Sequence, residues 1–319
     1  MEQSLYEYIS ESIVDGRLPD DFCLPKETTM GVAVVDGFME GVLEYHRAPG
    51  HQLTDEQKEL VARGVEEVSS HNFYQAEEIW WQICEDIGPY DAREYLQQYI
   101  RDHANSLNLD NLGYFAHTMA TRSPKRNVVK LALCVLGVFR LNEDGKSLIR
   151  TLGLSDEFTF YAARAMGGWD NINDELFDLA KKVRGWGRIH LIGWLSPQTE
   201  EIRHWILREG VHNTIMPAYS AINCWVKGNV PKTLLSGEVT REDFCGIRDI
   251  IEALLDEGPV VGISGIGDAE EYINLFLEKA KKMTLDNRDH EVIGAIREHF
   301  TENAEIAAAC EVLLGLDKM

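Results

Sequence analysis

The chain has 319 residues, 45% of them hydrophobic, with 53 acidic against 31 basic side chains and a formal charge of −22. That length allows one or two ordinary domains, and that hydrophobic share argues against a disordered chain. The acidic balance repels a phosphate backbone, so DNA or RNA binding is disfavoured and basic or cationic partners are favoured.

The segment from Met1 to Glu7 is acidic and lacks the basic and apolar regions of a signal peptide. Residues 15–30 contain Pro19 and Pro25 and read as an irregular strap over the first helices. Thr54 and Gln57 form a capping box, followed by Leu60, Val61, Val65 and Val68 at helical spacing. Ser123-Pro124 and Ser196-Pro197 each set a cap residue before a proline at a first helical position. The longest apolar run, Val128 to Phe139, contains Lys130 and is too short to span a bilayer. Asp170 or Asn171 starts a helix with Ile172, Leu176, Leu179, Ala180 and Val183 on one face.

Residues 209–217 break the helical pattern. Thr240 opens a helix bearing Phe244, Ile247, Ile251, Leu254 and Leu255, which Gly258-Pro259 closes. Asp268 with Glu271 opens another, bearing Ile273, Phe276, Leu277 and Ala280. Asp15-Gly16, Asp36-Gly37 and Asp144-Gly145 read as helix-end turns rather than hairpins. The expectation is an all-α chain of roughly a dozen helices in the rhythm of stacked helix pairs. This is an α–α superhelix of the HEAT/armadillo kind, forming one domain over residues 1–319. Gly168-Trp169 and Gly185-Trp186, each with an Ile three residues after the Trp, add a faint repeat signal. The six cysteines form no CxxC pair, so neither a zinc knuckle nor a disulfide framework is suggested. The whole reads as a cytoplasmic protein without a membrane span.

The acidity is uneven. Residues 1–120 hold 23 acids against 7 bases, and residues 241–319 hold 18 against 8. Residues 181–240 reverse this, with 8 bases and 4 acids, four of the seven tryptophans and three of the ten histidines. Trp and Arg concentrate binding energy at interfaces, and Arg forks onto carboxylates or phosphates. The candidate ligand-binding residues are therefore Trp186, Arg188, His190, Arg203, Arg208, His212 and Asn213. Arg188 and Arg208 would supply bidentate donors, Trp186 a flat apolar anchor and Asn213 an amide hydrogen bond. The same basic segment could instead bridge internally to the acidic parts of the chain.

Three blocks carry a resemblance. Gly185-Trp186-Gly187-Arg188-Ile189-His190-Leu191, with Thr199 to Gly210 and His212-Asn213, looks like a block of uncharacterised bacterial HEAT-like repeat proteins. Gly258 to Gly265 with Asp268 to Glu271 resembles a later block of the same proteins. Tyr6 to Ile9 and Leu18 to Pro25 are similar to bacterial sequences labelled limonene hydroxylase. The resemblance implies a helical-repeat fold, and the label implies an oxidoreductase.

The residues give that label little chemistry. No cysteine sits in a haem-thiolate setting, and Gly262 to Gly267 lacks dinucleotide-fingerprint spacing. No His/carboxylate pattern suggests non-haem iron, and no nucleophile elbow is present. His204 and His212, eight residues apart, read as solvated or hydrogen-bonded side chains rather than metal ligands. Glu77-Glu78 beside Trp80-Trp81 reads as a solvated face next to a core face. The leading expectation is a binding scaffold without cofactor or metal, holding a protein segment or a small anionic molecule around residues 181–240. The alternatives are an enzyme, possibly the labelled oxidoreductase, and a DNA-lesion enzyme on HEAT-like repeats, against which the acidity weighs.

Overall fold

The structure is a computed structural model that describes residues 3–25, 34–48 and 50–316. Among these residues the fold is all-helical, and the one extended pairing is an isolated bridge between Val14 and Arg17. The expected strap is described only as far as Pro25; residues 26–30 lie outside the described residues.

The helices run α1 (Leu5–Glu11), α2 (Phe38–His46), α3 (Asp55–Ser69), α4 (Phe73–Asp86), α5 (Pro89–Asp102) and α6 (Leu109–Arg122). Then come α7 (Arg126–Leu136), α8 (Glu143–Gly153), α9 (Asp156–Ala165), α10 (Ile172–Ala180), α11 (Trp186–Trp194) and α12 (Glu200–Glu209). The chain ends with α13 (Ala218–Lys227), α14 (Val230–Leu235), α15 (Arg241–Leu255), α16 (Ala269–Ala280), α17 (Asn287–His299) and α18 (Ala304–Leu314). Eighteen α-helices appear among the described residues where roughly a dozen are expected. They form two compact units, Met1–Leu191 and Ile192–Met319.

Side-chain caps start many of these helices. Thr54 forms the expected capping box with Gln57, and Thr240 accepts from the Asp243 amide. Other sequence signals act differently. The Ser123 hydroxyl accepts from the Lys125 amide, so Pro124 precedes α7 instead of opening it. Thr199, not Ser196, caps α12. Gly37, with φ near 77°, precedes α2 rather than ending a helix, and Asp144-Gly145 lies inside the first turn of α8 beneath the Asn142 cap. Helix α15 ends at Leu255, ahead of Gly258-Pro259, and Asp268 precedes α16 without a side-chain cap bond.

In the first unit α7 is the centre, with every residue from Val128 to Leu136 buried and α4, α5, α6 and α9 packed against it. Its one charged buried residue, Lys130, is 3% exposed and pairs with Glu40 at 2.8 Å and Glu157 at 2.6 Å. Burial alone would lower the lysine pKa, but the two carboxylates outweigh it and hold the value above the ordinary one. Tyr161 donates to Glu40 at 2.9 Å, and Arg126 bridges Glu157 and Asp36. These pairs fasten α2 to α7 and α9. Gly41 of α2 then sits flat against Trp186, where a Cβ would overlap the indole.

In the second unit α12, α15 and α17 pack in succession, as do α14, α16 and α18. Ile206, Ile247 and Ile293, each seven residues after its helix cap, are fully buried along the first of these rows.

Two substitutions test this packing. Lys130→Ala leaves two buried carboxylates without their cation and is expected to destabilise by about 3–5 kcal/mol in chemical denaturation. Gly41→Val overpacks the α2–Trp186 contact and should cost at least ~1–3 kcal/mol in the same assay.

Candidate functional site

The sequence-predicted residues fall in both units, and each group has its own surroundings. In the first unit Trp186 opens α11 and is 3% exposed, packed on Gly41 with the Tyr45 ring centroid at 6.1 Å. Its position is set by Asp156 at the start of α9, whose carboxylate accepts from the Gly185 amide at 3.0 Å and the Gly187 amide at 2.7 Å. Burial pushes the Asp156 carboxyl up to about 6, against the pull of these amide bonds. Gly187 lies close against Thr159 and Asp156, with no room for a side chain. The Gly-Trp-Gly run is therefore a docking element for α11.

His190, one turn after Trp186, is also buried, edge-on to Phe160 at 5.1 Å and stacked with Tyr45 at 6.1 Å. Burial, then the nearby Arg164 charge, push its pKa down to about 3, so the imidazole is neutral at physiological pH. Arg188 is half-buried on the same helix. Trp186 and His190 are thus brought together as core packing.

In the second unit the predicted residues lie along α12 and the loop after it. Arg203 pairs with Glu200 and donates to the Gly228 carbonyl at 3.3 Å. Arg208 Nε donates to Asp243 of α15 at 2.8 Å, and His204 Nδ1 lies 3.3 Å from the same oxygen. His212 reaches Asp249 of α15 at 3.0 Å and Glu209 at 3.4 Å. Asn213 closes its own loop: Oδ1 accepts from the Ile215 and Met216 amides, and Nδ2 donates to the Val211 and Met216 carbonyls.

The same pattern continues one helix further. Asp289 of α17 pairs with Arg241 at 2.7 Å and Arg248 at 2.8 Å, both from α15. Asp243 and Asp289 each stand at the third position of their helix, where the caps Thr240 and Asp286 hold them. The aspartates lie inside, with Asp243, Asp249 and Asp289 at 8%, 16% and 1% side-chain exposure. Arg208, Arg241 and His212 lie outside, at 36%, 36% and 47%, whereas Arg248 is buried with the aspartates. Burial works to raise the Asp243 pKa, but hydrogen bonding and charge from Arg208 outweigh it and hold the carboxyl below its usual range. The result is a row of half-exposed guanidinium and imidazole groups fixed from below. Part of the basic segment is therefore paired to acids elsewhere in the chain: Arg208 to Asp243, and Arg184 to Asp20.

His204 and His212 bind different aspartates, and no group of three or more His, Cys, Asp or Glu is placed to hold a metal among the described residues. A cleft of about 110 Å³ lies in the first unit between α8 and α10, lined by Arg150, Glu175, Met166 and Lys182. Arg150 and Glu175 close it with a two-pronged ion pair at 2.7 and 2.9 Å. Sequence reasoning missed Arg241 and the three aspartates; for Asp243 and Asp289 the signal available was a cap residue three positions earlier, at 240 and 286, and Asp249 has no such signal. No family model, curated protein or solved structure matches the chain. No helix among the described residues is long and apolar enough to cross a membrane.

The His212 pair makes a pH prediction. Hydrogen bonding to Asp249 outweighs burial and, with Glu209, raises the His212 pKa above its ordinary value. The pair's stabilisation is fully present below about 6.5, the unfolded histidine value, and is lost as pH rises through the folded value. Urea midpoints measured across this range should fall with rising pH, and His212→Gln should flatten that part of the profile.

Proposed function

We propose that the protein is a helical-repeat binding scaffold that takes a carboxylate-bearing segment on the α12–α15–α17 face. The observation that carries this reading is the recurrent row of half-exposed cations over buried aspartates. Supporting it, α12, α15 and α17 begin 41 and 46 residues apart, the period of HEAT-type helix pairs, which expose extended surfaces for partners. Arg208 and Arg241 are held by Asp243 and Asp289 in one geometry, so little side-chain entropy is lost when they meet a ligand. Arg203 and His212 sit at one end of the row beside the exposed Glu200 and Glu209.

An incoming carboxylate would take the places of those two glutamates. The exchange is inexpensive, because exposed ion pairs contribute only ~0–1 kcal/mol. The acidity of the rest of the chain opposes an acidic partner at long range. At physiological salt this repulsion is screened beyond about 8 Å, so the local row decides.

A fluorescein-labelled polyglutamate peptide, followed by anisotropy at physiological ionic strength, tests the face. The native protein should bind it, and Arg208→Ala with Arg241→Ala should weaken binding about fivefold or more at unchanged helical circular dichroism. Equal binding by the double variant would overturn the assignment.

A further inference from the structure

The first unit contains a second concentration of positive charge, away from any residue that the sequence singles out except His190. Arg93 of α5 and Arg164 of α9 converge on the Phe160 ring, with guanidinium carbons 5.6 and 4.6 Å from its centroid. Arg93 also stacks over Tyr90 at 3.8 Å. Its Nη1 donates to the Tyr90 carbonyl and its Nη2 to Glu94 at 3.1 Å. Its Nε is buried and has no hydrogen-bond partner among the described residues. A buried N–H without an acceptor marks a place where an acceptor is expected.

Glu44 of α2 stands at the edge of this pair. One carboxylate oxygen lies 3.8 Å from Arg164, and the other accepts from the Tyr90 hydroxyl at 2.6 Å. Glu44 thus pairs with Arg164 through one oxygen while Tyr90 holds the other. Burial first, and then the like charge of Arg93, lower the Arg164 pKa despite Glu44. His190, neutral and buried against the same Phe160 ring, adds a polar wall with no charge to repel an anion.

The geometry points to an oxyanion site between Arg93 and Arg164, for the carboxylate or phosphate group of a small ligand, with Glu44 as the internal carboxylate that the ligand displaces. Two guanidinium groups offer forked donors that fit either oxyanion, and charge-assisted hydrogen bonds of this kind are about twice as strong as neutral ones. Tyr90 is the second gain, because its hydroxyl is released to the ligand when Glu44 leaves. This site is independent of the α12–α15–α17 face and stands or falls without it.

Isothermal titration calorimetry of the full chain with inorganic phosphate and, separately, with acetate tests the proposal. Saturable binding is expected in at least one arm, and the arm that binds identifies the ligand group. Arg164→Ala should weaken it about tenfold, and Glu44→Gln should tighten it by a similar factor, since an internal competitor is removed. Absence of binding in both arms, or affinity unchanged in both variants, overturns the site. If Arg164→Ala does not fold, Glu44→Gln decides alone: a purely structural Glu44 would give no gain in affinity.

Discussion

Lys130 carries a full charge into the centre of the first unit, and the placement of its neighbours follows from how that charge is compensated. A buried ammonium is tolerable only with carboxylates and hydrogen bonds around it. Glu40 and Glu157 supply the carboxylates, and Tyr161 binds Glu40 in turn. Glu40 lies on α2, Lys130 on α7 and Glu157 on α9, so one ion cluster fixes three helices at once. With α2 held there, Gly41 meets Trp186 and Tyr45 meets His190. Glu44, one turn beyond Glu40, then arrives beside Tyr90 and Arg164.

The second unit uses charge in another way. Two of its inner aspartates, Asp243 and Asp289, sit at helix starts, where the free amides and the helix dipole already favour an anion. From that position Asp243 and Asp289 reach back to arginines on the preceding helix of the row. A cap that begins a helix and an ion pair that joins two helices are therefore adjacent in the chain. The pairing orders the cations without hiding them, which links the packing of this unit to the binding role proposed for it.

Aromatic residues are core in both units, with Trp80 and Phe158 buried in the first and Phe244 and Phe276 buried in the second. Trp186, Phe160 and His190 are consumed by packing, and the Phe160 ring lies beneath the guanidinium groups of Arg93 and Arg164. On the α12–α15–α17 face Arg208, Arg241 and His212 stay half-exposed, and Ile206, Ile247 and Ile293 are buried below.

The sequence by itself determined the all-helical class and several helix starts, because periodicity and capping act within four residues of chain. Thr54 with Gln57 and Thr240 with Asp243 are legible for that reason. Local rules also misplaced some ends, as at Ser123-Pro124 and Ser196-Pro197, where a proline compatible with a first turn precedes the helix by two or more residues. Only the tertiary structure decided that Trp186 and His190 are core, that Lys130 inside an apolar run is paired and buried, and that Arg208 stands over Asp243. The physical reason is common to all three. Burial and ion pairing join residues 29 to 145 positions apart, as in Asp156 with Gly185 and Trp186 with Tyr45 or Gly41, and no local pattern in the chain encodes which of its many acids a given cation will meet.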